Sequence, residues 1–265
     1  MDIKNKVAII TGGAGGIGVA IVKRLLEYGI KLVALFDIDN SNTKKIFMDL
    51  QKRYGKRVEL YPCDVTNKAE FEENFDKVLK THKTIDILFN NAGIGSDIHT
   101  ELMIDLNYKA VVLGSILFIE RLGKHNGGKG GIIVNTASIL GLRNFDCLPV
   151  YCSTKHAIVS FTRCLDVQYN NTGVRVVAIC PGLTVTPLLS SVTKPMDFIV
   201  TDIQKSFREL KTQAPECVAD AVIKIIQKGK SGDVWVAEDS QAPYAVKDIG
   251  DYANLRISVE KEDVL

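Results

Sequence analysis

Short runs of apolar, mostly β-branched residues alternate along the chain with longer stretches whose apolar residues recur at helical spacing. The apolar runs are continuous, which is typical of strands buried on both faces of a parallel sheet. Seven runs predict strands, at residues 7–11, 31–36, 58–61, 85–90, 132–136, 174–180 and 234–236. Six stretches predict helices, at residues 17–28, 42–54, 68–81, 101–124, 151–170 and 215–227. Strict alternation of the two predicts an α/β protein, doubly wound around a seven-stranded parallel sheet.

Two stretches interrupt this alternation, although no linker divides the 265 residues, which therefore predict a single domain over residues 1–265. Residues 183–213 follow the sixth predicted strand and have no regular pattern. Long loops of this kind often cover binding sites, so we interpret residues 183–213 as a substrate flap. Residues 238–265 are polar and are expected to form a C-terminal tail.

Composition and charge exclude several classes of function. The net charge is +2 and no basic cluster occurs, so nucleic acid is not an expected partner. The longest apolar stretch, residues 110–119, is about half a membrane span, and the N-terminus does not resemble a signal peptide. The six cysteines form no Cys-x-x-Cys pair and the four histidines lack ligand spacing, so no metal is expected. Reduced thiols in a chain of this length predict a cytoplasmic location.

A glycine-rich turn, TGGAGGIG at residues 11–18, ends the first predicted strand and begins the first predicted helix. Gly12, Gly16 and Gly18 would let the backbone approach a phosphate group closely, at a helix N-terminus that favours anions. The spacing differs from G-x-G-x-x-G, and a tight turn alone would explain the glycines equally well. The position between strand and helix favours a dinucleotide-binding turn.

The second predicted strand ends in an acid, Asp37, which lies 19 residues after Gly18. A carboxylate at this position can accept hydrogen bonds from both hydroxyls of an adenosine ribose. It would repel the 2′-phosphate of NADP, and no Lys or Arg occurs between Val33 and Thr43 to offset that charge. The expected cofactor is therefore NAD.

The segment YCSTK places Tyr151 four residues before Lys155, so both side chains lie on one face if the segment is helical. A cation about 4 Å away is worth roughly 4 kcal/mol to a phenolate at an effective dielectric of about 20. That energy could lower a phenol pKa of about 10 by up to about 3 units. Tyr151 would then be a candidate general base, although the spacing alone fits two solvated surface residues equally well.

These motifs occur together with three others in an order and spacing that resemble the short-chain dehydrogenase/reductase family, which implies a Rossmann fold. The others are NNAG at residues 90–93, NTASILG at residues 135–141 and CPG at residues 180–182. Segments such as PVYCSTKHAIVSFTR are similar to NAD-dependent 15-hydroxyprostaglandin dehydrogenases, and TIDILFNNAGI is similar to insect-type alcohol dehydrogenases. Both groups oxidise secondary alcohols.

The resemblance implies catalytic roles for four residues. Tyr151 would be the general base, Lys155 would lower its pKa and bind the nicotinamide ribose, Ser138 would hold the substrate oxygen, and Asn107 would anchor a proton-relaying water. The implied NAD contacts are Gly12, Gly16, Ile17, Gly18, Asp37, Asp64, Val65, Asn91, Tyr151, Lys155, Thr184 and Thr186. The implied substrate contacts are Ser138, Leu140, Leu148 and Tyr151.

The expected substrate is a lipophilic secondary alcohol, because the residues that should wall the pocket are mostly apolar. They are Leu140, Leu142, Phe145, Leu148, Val150, Leu183, Leu188 and Leu189, with Met196, Phe198 and Ile199 in the flap. Prostaglandin-oxidising relatives are expected to carry an amide side chain where this chain has Leu148, so prostaglandin itself is not favoured.

Three functions therefore stay open at this point. The first is NAD-dependent oxidation of a lipophilic secondary alcohol to a ketone, a reversible reaction. The others are an NADPH-dependent carbonyl reductase, which Asp37 disfavours, and a non-catalytic nucleotide-binding protein, which the intact catalytic residues disfavour. By analogy with the family, the apolar faces of the helices predicted at 101–124 and 151–170 imply a homodimer or homotetramer.

Overall fold

The structure is a computed structural model that describes residues 1–192, 196–201, 203–208, 210–248 and 250. An eight-stranded sheet forms its centre. The strands are β1 (Val7–Thr11), β2 (Leu32–Asp37), β3 (Val58–Pro62), β4 (Ile87–Asn90), β5 (Gly131–Thr136), β6 (Val174–Pro181), β7 (Val234–Ala237) and β8 (Tyr244–Val246). Their order in the sheet is β3-β2-β1-β4-β5-β6-β7-β8, and neighbouring strands are parallel from β3 to β7. The doubly wound α/β prediction is confirmed.

The sheet differs from the predicted seven parallel strands by the short strand β8, which pairs antiparallel to β7 with Val246 opposite Val234. This strand lies within the predicted polar tail. It forms the edge of the sheet, where Tyr244 and Ala245 are exposed and Val246 is half-buried. Such a strand lacks the continuous apolar run that marks the buried ones. Residues 251–265 of the predicted tail lie outside the described residues.

Helices cover both faces of the sheet and bury its apolar side chains. The helices are α1 (Gly16–Glu27), α2 (Ser41–Tyr54), α3 (Lys68–His82), α4 (Thr100–Ile104), α5 (Ala110–Leu122), α6 (Pro149–Cys164), α7 (Tyr169–Thr172), α8 (Pro187–Ser191), α9 (Ile203–Arg208) and α10 (Pro215–Lys228). On one face, α1, α2 and α10 pack against Ala8, Ile10 and Val33. On the other face, α3 and α5 pack against Val7 and Ile9, and α6 packs against β6 and β7.

The helix predicted at residues 101–124 is interrupted by a π-helical turn, Asp105–Lys109, between α4 and α5. By length and composition, Asp97–Leu122 is also the one stretch among the described residues that could cross a membrane. A core helix passes the same test, and Leu117 and Phe118 of this stretch are buried against the sheet and α3. We therefore interpret it as a core helix.

Two other predicted segments have different boundaries in the structure. The helix predicted at 151–170 begins at Pro149, a residue favoured in a first helical turn, and ends at Cys164. The segment at 183–213, predicted to be irregular, contains the short helices α8 and α9. Each has six residues or fewer, too short for a helical apolar period to be recognised in the sequence.

Candidate active site

A cleft of about 620 Å³ opens at the carboxyl ends of the parallel strands. The strand order reverses at β1: β2 and β3 lie on one side of it, and β4 and the strands that follow lie on the other side. Ligands of doubly wound sheets bind at such a reversal, because the loops after the two strands diverge and leave a crevice. The loop after β1 and the NNAG segment after β4 both line the cleft.

The glycine turn fits a phosphate-bearing ligand. Gly12 has a φ of +62°, and a Cβ at this position would lie 2.9 Å from the Cα of Ala92. A Cβ at Gly16 would lie 2.6 Å from Cγ2 of Thr186. The N-cap of α1, Gly15, provides no side-chain cap, and the first turn of the helix has no acidic residue. The N-terminal N–H groups of α1 therefore favour an anion such as a pyrophosphate.

Asp37 ends β2 at the edge of the same cleft. Its Oδ2 accepts a hydrogen bond from Ala14 N at 2.8 Å, and its Oδ1 accepts one from Ile38 N at 2.9 Å. Burial raises the pKa of this carboxyl, and the hydrogen bonds from Ala14 and Ile38 oppose the rise. The Thr43 side chain opposes this rise in pKa too, and a carboxylate with about four acceptor sites still retains capacity for a ribose hydroxyl. Among the described lining residues, Lys155 is the one Lys or Arg, so Asp37 has no cation beside it for a 2′-phosphate.

The residues predicted to contact a dinucleotide all line the cleft: Gly12, Gly16, Ile17, Gly18, Asp37, Asp64, Val65, Asn91, Tyr151, Lys155, Thr184 and Thr186. Asn91 also braces the glycine turn, because its Nδ2 donates to Thr11 O at 3.1 Å and Gly12 O at 3.2 Å. The hydroxyl of Thr184 donates to Gly182 O at 2.9 Å and accepts from Gln213 Nε2 at 3.3 Å. Its single proton is thus committed within the protein rather than to a ligand.

Tyr151 and Lys155 lie on one face of α6, as their spacing predicts. The Nζ of Lys155 is 5.6 Å from the centroid of the Tyr151 ring and donates to Thr136 O at 2.9 Å. Burial raises the pKa of Tyr151 to about 12, and a hydrogen bond from Ser138 opposes the rise. Burial also lowers the pKa of Lys155 to about 8.

In the chain alone, burial of the phenol raises its pKa, and the Lys155 ammonium, itself buried, is directed to a carbonyl oxygen. The predicted lowering of the phenol pKa by Lys155 stays a prediction. A further positive charge beside the phenol would lower its pKa.

Ser138 caps the short turn Ile139–Gly141, and its Oγ accepts from Leu140 N at 3.1 Å. The side chain is 7 % exposed and lines the cleft beside Tyr151. A hydroxyl has one donor and two acceptor sites, so Ser138 can still donate to a substrate oxygen or to the phenol.

Asn107 lies in the π-helical turn behind the cleft and does not line it. The side chain is fully buried; its Oδ1 accepts from Ile94 N at 2.9 Å and its Nδ2 donates to Ile94 O at 2.8 Å. The structure thus places Asn107 as a brace of the loop after β4. The predicted water relay stays a prediction.

The other end of the cleft is apolar. Of the predicted wall residues, Leu140, Leu148, Leu183, Leu188 and Leu189 line it. Six other predicted wall residues do not line it: Leu142, Phe145, Val150, Met196, Phe198 and Ile199. Leu142 packs against the cluster that contains Ala137, Phe145 stacks on Phe207, and Phe198 is 76% exposed.

Five further apolar residues line the cleft and were not predicted from the sequence: Leu102, Leu106, Val192, Phe207 and Leu210. Val192 and Phe207 belong to the same apolar cluster as Leu140 and Leu148. The helical spacing of Leu102 and Leu106 was a usable signal for a shared face. The others come from the 183–213 segment, where no periodicity indicated which side chains turn inward.

Asp97 is a fully buried acid that accepts hydrogen bonds from the backbone of α6, and it was not predicted from the sequence. Its partners are more than 50 residues away in sequence, so no local pattern could indicate them. Among the residues that the structure describes, no group of three or more His, Cys, Asp or Glu side chains could hold a metal ion.

Comparisons with known proteins agree with the motifs. The model of the short chain dehydrogenase family matches residues 6–197. The 15-hydroxyprostaglandin dehydrogenase (NAD(+)) of Rattus norvegicus is 34% identical over 235 residues, which cover 86% of this chain and 88% of that protein. Alcohol dehydrogenase 2 of Ceratitis cosyra is 30% identical over 241 residues, which cover 89% and 93%. A similar solved structure is the crystal structure of 3-ketoacyl-(acyl-carrier-protein) reductase from Brucella melitensis complexed with NADH, with a TM-score of 0.77 and 25% sequence identity. The match covers 89% of this chain and 98% of that one.

Proposed function

The chain belongs to the short-chain dehydrogenase family, and from this premise we propose that it oxidises a lipophilic secondary alcohol to a ketone with NAD, reversibly. The observation that carries the proposal is the division of one continuous cleft. Part of the cleft has a glycine turn and an acid, Asp37, with no Lys or Arg beside it among the described lining residues, which suits a dinucleotide, and another part is apolar. Ser138, Tyr151 and Lys155 line the same cleft.

The reaction needs a base in this cleft, because an alcohol that loses a hydride must also lose its hydroxyl proton. Tyr151 accepts that proton, and Ser138 donates a hydrogen bond to the substrate oxygen and so orients the carbon. NAD, when bound, supplies the hydride acceptor and a positive charge that favours the phenolate. Lys155 uses one of its three donors on Thr136 O, which leaves two for the nicotinamide ribose.

The apolar end of the cleft indicates the class of alcohol. Leu140, Leu148, Val192 and Phe207 form one apolar cluster, and apart from Lys155 no described Lys or Arg lines the cleft to pair with a carboxylate. An apolar pocket binds neutral chains through area removed from water, at roughly 25 cal/mol per Å². We therefore propose neutral, lipophilic substrates, with residues 183–213 as the flap over them.

A carbonyl reductase that uses NADPH is the alternative, and the environment of Asp37 disfavours it. The carboxylate faces the cleft with no Lys or Arg beside it among the described lining residues. A 2′-phosphate there would meet a like charge without compensation. The non-catalytic alternative is disfavoured by the convergence of Ser138, Tyr151 and Lys155 on one cleft.

We also propose a homodimer or homotetramer in the cytoplasm. Ile104 and Ile116, on the helical stretch that precedes β5, are 43% and 44% exposed, which suits a face covered by a second copy. None of the six cysteines, which all lie among the described residues, forms a disulfide, and this suits a reducing compartment. Sedimentation at micromolar concentration tests the assembly, and a monomer would contradict it.

The experiment that tests the proposed function is a screen of NADH fluorescence against secondary alcohols of increasing chain length, each with and without a terminal carboxylate. We expect activity that rises with chain length and falls when the carboxylate is present. Tyr151→Phe should reduce turnover by about a factor of 1,000 while the NAD dissociation constant changes less than about threefold. Retained turnover in this variant would exclude Tyr151 as the base, and no turnover of any alcohol by the wild type would reject the proposal.

A further inference from the structure

A fully buried acid, Asp97, lies next to α6, the helix that carries Tyr151 and Lys155. Asp97 begins the stretch Asp97–Leu122 and has no exposed surface. Its Oδ2 accepts a hydrogen bond from Val150 N at 2.8 Å, and its Oδ1 accepts one from Tyr151 N at 3.0 Å. The carboxylate thus holds the backbone of the residue that we assign as the base.

The sequence of α6 explains why an outside acid is needed. The N-cap residue, Leu148, has no polar side chain to cap the helix. Pro149 has no N–H, so Val150 and Tyr151 provide the first two backbone donors of the helix. Asp97 satisfies both of them with one carboxylate. Burial raises the pKa of Asp97, and the bonds from these two N–H groups oppose that rise.

The other side of the Tyr151 backbone is tied to the same stretch. Tyr151 O accepts from the hydroxyl of Thr154 at 2.8 Å, and Asn107 Nδ2 approaches that hydroxyl oxygen at 3.5 Å. Asn107 also fixes Ile94, which lines the cleft. The stretch Asp97–Leu122 therefore contacts the N–H side of the Tyr151 backbone through Asp97 and reaches its carbonyl side through Asn107 and Thr154. Through Asn107 and Ile94 it also contacts the loop after β4.

We propose that Asp97 is a positioning residue for the reaction, one that sets the distance between the Tyr151 hydroxyl and a substrate bound beside the loop after β4. The inference rests on the proposed function, because it concerns the base of that reaction. Displacement of a catalytic group by about 1 Å can cost a factor of about 100 in rate. Asp97 is not among the residues that line the cleft, so its effect passes through its bonds to the backbone of α6.

The test compares Asp97→Ala, Asp97→Asn and a matched control, Asp86→Ala. Asp86 is also a carboxylate that accepts a backbone hydrogen bond from another element, from Val7 N at 2.9 Å, and it does not line the cleft. We expect Asp97→Ala to lower kcat by about a factor of 100, with KM for the alcohol and the NAD dissociation constant within about threefold. Asp97→Asn keeps one acceptor for the two N–H groups and should lose about tenfold. Asp86→Ala should lower stability and leave kcat unchanged.

A second measurement does not depend on turnover. In the chain without NAD, hydrogen–deuterium exchange at the amides of Val150 and Tyr151 should be at least about tenfold faster in Asp97→Asn than in the wild type, with no change in Asp86→Ala. An active wild type whose kcat is unaffected by Asp97→Asn and Asp97→Ala would overturn the inference, as would an equal loss of kcat in Asp86→Ala. Unchanged exchange in Asp97→Asn would overturn it too. An inactive wild type would reject the proposed function, and the exchange data would then decide whether Asp97 holds Tyr151.

Discussion

The two ends of the cleft are held in different ways. One end carries the glycine turn and is called the dinucleotide end here. Hydrogen bonds of 2.8–3.2 Å to that turn fix Asp37, the last residue of β2, and Asn91, the first residue after β4. At the substrate end, apolar side chains from α6, α8, α9 and the preceding loops meet by packing, as in the stacked rings of Phe145 and Phe207, whose centroids are 5.5 Å apart.

The difference shows why a sequence reveals a cofactor more readily than a substrate. Hydrogen bonds are directional and need particular atoms at particular places, so few residues can replace Asp37 or Gly12. Apolar contact is not directional and scales with area, so many leucines and phenylalanines could form the same wall. The dinucleotide end is therefore specified residue by residue, whereas the substrate end is specified by its overall apolar character.

Tyr151, which lines the same cleft, should show the largest effect, through pH. Burial raises the pKa of Tyr151 to about 12, and the phenolate is the form that accepts a proton. The rate of alcohol oxidation should therefore rise by at most about tenfold per pH unit between about pH 6 and 8. It should level off at the pKa of the phenol in the NAD complex. Ketone reduction uses the protonated phenol and should stay flat. Initial rates in both directions measure this, and oxidation that falls as the pH rises would contradict the assignment.

The dinucleotide end should respond next, to Asp37→Ala. Loss of hydrogen bonds from two ribose hydroxyls to a carboxylate costs about 1.5–3 kcal/mol, which weakens NAD by about 10- to 100-fold. NADP should bind more tightly than before, because the like charge is gone. The control is Asp39→Ala, since Asp39 is exposed, pairs with Lys44 at 2.7 Å and does not line the cleft. Fluorescence titration with both dinucleotides measures the change; an NADP affinity that does not rise would contradict the prediction.

The substrate end should respond more weakly, to Phe207→Ala. This side chain lines the cleft and stacks on Phe145, so its loss removes part of the wall and an aromatic pair worth about 0.5–1.5 kcal/mol. We expect KM for a long-chain alcohol to rise by about tenfold, with kcat within about twofold. Phe207→Leu keeps the apolar area and is the control. An equal rise in KM for propan-2-ol would show that the ring does not contact the chain of the substrate.

The smallest effect is expected at Phe198, in the same segment. Its side chain is 76% exposed, so Phe198→Ser should leave the free energy of unfolding within about 0.5 kcal/mol. If residues 183–213 close over a substrate, KM for long-chain alcohols should rise by about threefold and KM for propan-2-ol should not change. Chemical denaturation and steady-state kinetics measure the two quantities. No difference between long and short alcohols would contradict the role of a flap.

The strand and helix boundaries were predicted closely in the parallel part of the sheet, where β1 has the predicted bounds and α3 differs by one residue. A strand that is buried on both faces has a continuous apolar run, and a helix that is buried on one face has apolar residues at helical spacing. The short antiparallel β8 was missed because an exposed three-residue strand has no such run.

The sequence by itself determined the doubly wound fold, the dinucleotide end of the cleft and the shared face of Tyr151 and Lys155. Each depends on spacing within one element or on the convergence of parallel strand ends, which the chain order dictates. Tertiary structure alone decided the raised pKa of Tyr151, the hold of Asp97 on its backbone and the membership of the apolar wall. These depend on which distant groups exclude water from a site or complete its hydrogen bonds, and that is settled once the whole chain has packed.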